Sequence, residues 1–342
     1  MSQFSKTELL SNINNAEKQT HILAENIEKD YYICQILKSI QNDSSIDYVV
    51  FRGGTSLSKC WKVINRFSED IDFSIEYPIG ESKRRNLKYK LKNICDSLGL
   101  EIINYDKLRS RTTMNRYEIK YPSLFQNEKS IILLEMSAFS ISVFTIQKQI
   151  QSYIGEYLDL NTTINSSNYE QEPFFIKTQT LEKTFADKVF ALCDYALTNR
   201  FSKGSRHIYD LYKIYPLVKN NPELKDIIAI TRYDRMKRDK RPSSYENCDV
   251  NMLLQQISET NCFKNDYENT TLSLLGEQID YQNAITTIDE ISKSNLFTYN
   301  PNFNPISYLI EKKYIDSKNI KQLTLYTNYY NKPNFIEKTL IK

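Results

Sequence analysis

Residues 48–75 constrain the fold most, because strand and helix signals alternate there around two consecutive glycines. The run YVVFR, residues 48–52, is rich in β-branched and aromatic side chains, which favours a strand. Gly53 and Gly54 end that strand. Thr55 is placed to cap a helix over residues 56–64, because its hydroxyl can accept a backbone N–H of the first turn. Residues 68–75 predict the next strand, so the segment predicts part of a sheet with a flanking helix.

Two carboxylates lie two residues apart on the second of these strands. Side chains alternate along a strand, so Asp70 and Asp72 emerge on one face with Cα atoms ~6.6 Å apart. Carboxylates that close repel each other when they are unpaired, and their oxygens are the ligands that Mg²⁺ prefers. The pattern therefore predicts that this pair binds a divalent cation, Mg²⁺ or alternatively Mn²⁺.

The glycines before the helix suit the other requirement of phosphoryl transfer, which is a place for the triphosphate. Glycine lets the backbone approach a phosphate closely, and a helix N-terminus adds N–H donors and partial positive charge. A divalent metal offsets the charge on the phosphates. A Gly-Gly pair alone is often a tight turn, and an Asp-x-Asp pair alone is common on solvated strands. Their combination at short range is more specific and predicts nucleotide chemistry.

The segments FRGGTSLSK, residues 51–59, and RFSEDID, residues 66–72, resemble the AbiEii/AbiGii toxin family of the DNA polymerase β superfamily, which includes the MenT toxins. The resemblance covers residues 48–211. It implies an α+β fold, in which a small mixed sheet with flanking helices forms the nucleotidyltransferase core and a helical C-terminal part follows. We expect a nucleotidyltransferase domain with N-terminal helices over residues 1–175 and a helical domain over residues 176–342.

Two downstream motifs extend the resemblance. TLEKTFADKVFAL, residues 180–192, contains Lys188, and RHIYDL, residues 206–211, contains Asp210. His207 stands where Asp is more usual in the family, which leaves a role at that position open. Lys188 is predicted to clamp phosphate, and Asp210 to orient Lys188 or Arg206 or to position the nucleotide. The alternatives are a solvated helix lysine and a helix-face salt bridge that contributes little.

A third carboxylate on a neighbouring strand acts as general base in this superfamily, as the resemblance implies. Glu135 is the candidate, because it ends the apolar run IILL, residues 131–134, where a charged group is costly unless it has a role. The alternative is a strand-end glutamate that reaches solvent. The predicted metal ligands are Asp70, Asp72 and Glu135, and the predicted catalytic residues are those three with Lys188 and Asp210.

Several residues near the glycines are predicted to bind the nucleotide. Lys59 falls one helical turn past Thr55, so its stem can reach back towards the phosphates, and Arg66 can neutralise them. Ser68 can hydrogen-bond a phosphate or hold the turn before the strand. The predicted nucleotide-binding residues are Gly53, Gly54, Thr55, Ser56, Lys59, Arg66, Ser68 and Lys188.

The partners follow from charge and from the resemblance. The formal net charge is only +3, so an RNA surface must come from local basic clusters, which lie at residues 83–92, 107–116 and 232–241. Each cluster alone also suits a solvated helix. Because several relatives add nucleotides to tRNA 3′ ends, we expect transfer of a nucleoside monophosphate from an NTP to RNA, most simply the tRNA 3′ end. We expect a toxin of abortive infection, or antiviral defence, with a cognate antitoxin.

Three other functions remain open. The same chemistry could modify a protein hydroxyl. A metal-dependent nuclease of the Asp…Glu-x-Lys type is disfavoured, because Met136 and Ser137 follow Glu135. A non-catalytic nucleotide-sensing module would keep the fold without turnover, although both aspartates and both glycines are present.

Composition excludes further classes. No stretch approaches the ~20 apolar residues of a membrane helix, and the polar N-terminus does not resemble a signal peptide, so we expect a cytoplasmic protein without membrane contact. Six cysteines form no C-x-x-C pair and only two histidines occur, which argues against structural zinc.

Overall fold

The structure is a computed structural model that describes residues 4–109, 112, 114–125, 130–161, 166–236 and 241–330. The chain forms two compact units. The first comprises Met1–Lys62, Ser68–Phe139 and Thr145–Thr178, and the second comprises Val63–Phe67, Ser140–Phe144 and Gln179–Lys342.

Seven strands form one mixed sheet, and nearly all of their residues belong to the first unit. The strands are β1 (Val49–Arg52), β2 (Ile71–Ile75), β3 (Glu101–Ile102), β4 (Met114–Lys120), β5 (Ile131–Ile141), β6 (Thr145–Ile150) and β7 (Phe174–Gln179). Their order across the sheet is β3-β4-β5-β2-β1-β7-β6. Strand β1 pairs antiparallel with β2 and parallel with β7, and β4 pairs antiparallel with β3 and β5.

Strands β1 and β2 are central because their side chains are apolar enough to be buried. Phe51 and Phe73 pair across these strands with ring centroids 5.8 Å apart, and both are buried. Burying each such ring stabilises the fold by roughly 1.5–3 kcal/mol. The two strands that carry the predicted motif are therefore held in the core of the first unit.

Five α-helices of the first unit are α1 (Lys6–Thr20), α2 (Ala24–Asn42), α3 (Gly53–Lys59), α4 (Glu81–Ser97) and α5 (Tyr153–Asp159). The predicted N-terminal helices are two, because His21 adopts a left-handed conformation with φ 59° and ends α1. Its N–H donates to the Glu17 carbonyl over 2.8 Å, which closes the last turn.

The described α-helices of the second unit are α6 (Leu181–Leu197), α7 (Arg206–Val218), α8 (Leu224–Met236), α9 (Val250–Thr260), α10 (Lys264–Asp266), α11 (Tyr281–Lys293), α12 (Pro305–Glu311) and α13 (Ile320–Tyr330). Helix α6 has an apolar stripe that includes Leu181, Phe185, Val189 and Leu192. It is buried on several sides, and Phe185 and Phe190 both contact the ring of Phe297. This helix forms the centre of the second unit.

The predicted α+β fold, with a mixed sheet, flanking helices and a helical C-terminal part, is confirmed. Strands β6 and β7 were not predicted from the sequence and enlarge the sheet. The domain boundary after residue 175 remains a prediction. Within the described residues, no helix has the length and apolar character needed to cross a membrane. Residues 237–240 of the third basic cluster lie outside the described part of the chain.

Candidate active site

A glycine corner joins β1 to α3. Gly53 has φ +82°, a region that residues with a side chain adopt only at a cost. A Cβ at this position would lie 2.1 Å from Oδ2 of Asp72, which is far closer than any real contact. Gly53 is therefore required twice, once for its backbone conformation and once because the Asp72 carboxylate lies against it.

Thr55 does not cap α3, and the prediction that it does is wrong. The helix begins directly at Gly53 and its N-cap residue is Arg52, so Thr55 lies inside the first turn and is buried. Its hydroxyl donates to the Asp70 carbonyl and lies 3.1 Å from the Ser68 hydroxyl. Thr55 thus ties the segment before β2 to α3.

The acid pair is divided between a strand and the residue before it. The predicted strand over residues 68–75 begins only at Ile71, because the Asp70 carbonyl is bound by Thr55. Asp72 is on β2, where it pairs with Arg52 of β1. The sequence prediction of the strand start was wrong by three residues, although the Asp72 carboxylate does lie at the glycine corner.

Glu135 lies in the middle of β5, which neighbours β2 in the sheet, so it is not a strand-end residue. Its side chain is 29% exposed. Partial burial raises the pKa of the Glu135 carboxyl, and the negative charges of Asp72 and Asp70 raise it further, against Arg116 and Arg52. The three predicted metal ligands therefore share one electrostatic environment.

Two arginines beside this carboxylate were missed by the sequence reasoning. Arg116 is the cross-strand partner of Glu135, with Nε 3.9 Å from Oε1. Arg52 donates from Nη2 to the Ser137 hydroxyl over 3.2 Å. Adjacency to Gly53 was a signal for Arg52, whereas the register of β4 against β5, which decides the place of Arg116, has no local signature.

The carboxylates fit a divalent cation by their chemistry. In the part of the chain that the structure describes, no three His, Cys, Asp or Glu side chains form a ready-made metal cluster. The electrostatic coupling of Glu135 to Asp72 and Asp70 nevertheless shows a local excess of negative charge. Such a set of hard oxygen donors, whose mutual repulsion a cation would relieve, suits Mg²⁺ or Mn²⁺.

Lys59 does not reach back to the glycine corner, which corrects the prediction that it binds phosphate. Its ammonium forms a buried ion pair with Asp30 of α2 and lies 4.4 Å from the centre of the Tyr153 ring. Asp30 also accepts the Tyr153 N–H over 2.9 Å. The Ser56 hydroxyl donates to the Gly53 carbonyl over 2.9 Å, so this side chain too is used within the fold.

The second unit contains Lys188, Asp210 and Arg66 in one buried cluster. Lys188 Nζ lies 2.6 Å from Oδ2 of Asp210. Arg66 donates to both oxygens of the same carboxylate, from Nε over 2.8 Å and from Nη2 over 2.9 Å. Side-chain exposure is 0% for Asp210 and 8% for Lys188, which rules out the solvated lysine and the surface salt bridge. Arg66 was predicted to neutralise phosphate, and the structure pairs it with Asp210 instead.

In this cluster two positively charged side chains, Arg66 and Lys188, contact the single carboxylate of Asp210. Burial acts to raise the pKa of Asp210, but Arg66 and Lys188 outweigh it and hold that pKa well below its usual range. Burial lowers the pKa of Lys188, and Arg66 and Arg206 add to this against Asp210. Burial, with Lys188 nearby, also keeps the pKa of His207 well below its usual value. The excess positive charge suits an anion.

The mixed sheet and the carboxylates at its glycine corner define the protein as a nucleotidyltransferase. The model of the family described as nucleotidyl transferase AbiEii toxin, type IV toxin–antitoxin system, matches residues 35–291, and the chain belongs to this family. The resemblance seen in the sequence and the expectation of an enzyme and a toxin are thereby confirmed.

A solved structure of a nucleotidyltransferase toxin has the same fold. The nucleotidyltransferase toxin MenT4 from Mycobacterium tuberculosis is 12% identical, with a TM-score of 0.52 over 96% of this chain and 98% of its own. The crystal structure of JHP933 from Helicobacter pylori is 15% identical, with a TM-score of 0.44 over 81% of this chain and 93% of its own. No curated protein matches the chain by sequence.

Proposed function

We propose that the protein transfers a nucleoside monophosphate from an NTP to an RNA hydroxyl, with the tRNA 3′ end as the acceptor. It acts in the cytoplasm as a growth-arresting toxin whose activity a cognate antitoxin controls. The observation that carries this proposal is the Asp72 carboxylate lying against Gly53 in the electrostatic environment of Glu135.

The carboxylates have distinct roles in this proposal. Asp70, Asp72 and Glu135 would hold the divalent cation, which when bound offsets the negative charge of the phosphates. Glu135, which lies on the strand next to β2 and beside Arg116, accepts the proton of the attacking hydroxyl. The acceptor oxygen then bonds to the α-phosphorus as the bond to pyrophosphate breaks, and the proton remains on Glu135.

The nucleotide is bound by backbone and by cations. The N–H groups at Gly53 and Gly54 face phosphate oxygens, and Ser68 adds a hydroxyl near them. Lys188 binds phosphate as a point charge, and Asp210 holds its ammonium in place. Asp210 cannot be the base, because two cations keep its pKa low.

The charge around the acceptor favours RNA over a protein hydroxyl. Arg116, whose side chain is 56% exposed, lies beside Glu135, where it can bind a backbone phosphate next to the reacting hydroxyl. Helix α4 adds further cations, and Tyr89 on it is 57% exposed. Lys88 lies 4.2 Å from the centre of the Tyr105 ring. Exposed aromatic rings among cations suit unstacked bases.

The test is incubation with total RNA and each NTP, labelled separately at the α- and γ-phosphates. Label in RNA from the α-position only, lost in Asp72→Asn, supports the proposal. Asp289→Asn, an exposed aspartate paired with Lys293 on α11, is the matched control and keeps activity. Label in protein would instead identify a protein acceptor. RNA fragments without NTP would identify a nuclease, and tight NTP binding without transfer would identify a sensor.

A further inference from the structure

The segment Val63–Phe67 is held in the second unit by a short stretch more than 200 residues further along the chain. The N–H of Gly276 donates to the Asn65 carbonyl over 2.8 Å, and the N–H of Phe67 donates to the Leu274 carbonyl over 3.3 Å. Arg66 and Leu275 form an antiparallel β-bridge between these contacts. We call residues 274–277 the clasp.

Helix α7 completes the clasp from the other side. The Tyr209 hydroxyl accepts the Asn65 N–H over 2.8 Å and donates to the carboxylate of Glu277. Glu277 is also bound by Lys213, with its ammonium 3.1 Å away. Tyr209 is fully buried and directly precedes Asp210, so the clasp and the Asp210 turn of α7 are joined by one hydrogen-bonded chain.

Arg66 is held at the centre of this arrangement. Two of its nitrogens bind the two oxygens of Asp210, and Nη1 donates to the Phe67 carbonyl over 3.3 Å. A guanidinium fork fixes both the position and the rotation of a carboxylate, which a single contact does not. Oδ2 of Asp210 also accepts from Lys188, so the place of the lysine depends on the orientation of that carboxylate.

We propose that Arg66, held by the clasp, is a positioning residue that orients Asp210 and so places the Lys188 ammonium. The proposal rests on the proposed function, in which Lys188 binds phosphate. It gives residues 274–277 a part in placing the Lys188 ammonium, although the sequence shows no motif there. Arg66 acts on the reaction only through Asp210 and Lys188.

A double-mutant cycle separates this role from direct contact of Arg66 with phosphate. Arg66→Gln is expected to lower the transfer rate about 100-fold, which is typical of a misplaced catalytic group. In the Lys188→Ala background the same change should cause no further loss, because the group that it places is gone. Losses that multiply would mean that Arg66 contacts the substrate independently, and would overturn the proposal.

The clasp is tested in the same cycle. Tyr209→Phe removes the hydroxyl between Asn65 and Glu277, and should lower the rate less than Arg66→Gln and not at all in the Lys188→Ala background. Arg66→Lys keeps the charge without the fork and should recover only part of the rate. Asp194→Asn is the control, because it breaks a buried ion pair with Arg235 in the same unit, and should leave the rate of the folded protein unchanged.

A readout that needs no activity is the titration of Lys188, followed by NMR of protein labelled with carbon-13 at lysine Cε and assigned with Lys188→Arg. The charged or titratable groups facing Lys188 are Asp210, Arg66, Arg206 and His207. Arg66→Lys is the informative variant, because it keeps the charge and loses the fork. Asp210 should then turn away from Lys188 and the Lys188 pKa should fall, whereas Asp194→Asn should leave that pKa unchanged.

The two experiments fail in different ways. If wild-type protein labels no acceptor, the proposed function is rejected. The titration of Lys188 would still test whether Arg66 positions Asp210. An unchanged Lys188 titration in Arg66→Lys, in protein whose unfolding remains cooperative, would reject the positioning role whatever the activity.

Discussion

At the scale of single residues, the site depends on Gly53 and on the Asp72 carboxylate, which lies where a Cβ at residue 53 would be. Gly53 combines a positive φ with the close approach of the Asp72 carboxylate. These two requirements can be separated by mutation, because Gly99 also has a positive φ, +69°, but has open space where its Cβ would be.

Gly53→Ala should therefore lose more stability than Gly99→Ala, because it adds a clash with Asp72 to the cost of the backbone conformation, and the two variants should differ most in activity. A left-handed conformation costs a residue with a Cβ about 1–2 kcal/mol, and both variants incur that cost. Only Gly53→Ala displaces Asp72, so only this variant should lose transfer. Urea unfolding measures the first effect and labelled-NTP incorporation the second. Full activity in Gly53→Ala would contradict the geometry of the corner.

Glu135→Gln should lower the transfer rate and raise the free energy of unfolding by an amount that depends on pH. The raised pKa of Glu135 means that folding favours its neutral form, so its contribution to stability is present at low pH and is lost as pH rises. The variant should thus gain stability over wild type as the pH rises above about 4, the ordinary range of a glutamate, while transfer falls roughly 10²–10⁴-fold. Glu101→Gln, an exposed residue of β3, is the control. A stability difference that does not change with pH would contradict this environment.

At the scale of elements, α3 is joined to β2 by a side chain and not by a cap. Thr55 binds the carbonyl that precedes the strand, which places Asp70 relative to the glycine corner. The same helix ends at Lys59, whose ammonium is paired with Asp30 of α2. Both residues were predicted to bind nucleotide, and both have partners within the fold.

Thr55→Val keeps the volume of the side chain and removes the hydroxyl. The Asp70 carbonyl then loses its donor, which should cost about 1–3 kcal/mol of unfolding free energy and weaken the binding of Mg²⁺. Ser58→Ala is the matched control, because that hydroxyl binds only the Thr55 carbonyl of its own helix over 3.0 Å. Isothermal titration with Mg²⁺ measures the effect, and equal affinities in the two variants would contradict the tie.

Lys59→Met should destabilise the protein without changing nucleotide binding. It leaves Asp30 buried without its cation, and breaking a buried pair in this way costs about 3–5 kcal/mol. Asp30→Asn combined with Lys59→Met should recover part of that loss. The KM for NTP, measured well below the melting temperature, should equal that of wild type. A large rise in the KM for NTP would instead support the sequence prediction that Lys59 contacts phosphate.

At the scale of the whole molecule, a formal charge of +3 leaves little long-range attraction for a polyanion. RNA binding must then depend on where the cations are concentrated. Lys83 and Arg85 are exposed on α4, and Arg85 pairs there with Glu81. Lys264 and Lys293 are likewise exposed and pair with carboxylates four residues away, so the two sets differ in their place in the chain and not in local pairing.

Replacing Lys83 and Arg85 together by Gln should raise the KM for RNA and leave the KM for NTP unchanged. Each lost phosphate contact should reduce the slope of log affinity against log salt by about 1. Lys264→Gln with Lys293→Gln removes the same net charge from the second unit. An equal change in that control would show that total charge, and not α4, determines RNA binding.

The sequence by itself determined what short-range physics encodes. The β-branched run before Gly53, the acid pair and the apolar stripe of α6 each arise within a few residues, and they were sufficient for the fold class, the family and the glycine corner. The sequence also pointed to Lys188 and Asp210, but only through the resemblance, since a lysine and an aspartate on helices have no pattern of their own.

Only the tertiary structure decided which charges meet. Arg66 and Asp210 are 144 residues apart, and the clasp lies further still, so no local period links them. The partners of Lys59 and Arg116 likewise follow from which element packs against which, and from strand register. Local propensity acts over a few residues. The counter-ion of a buried charge is instead set by which elements pack together, and this is known only from the folded chain.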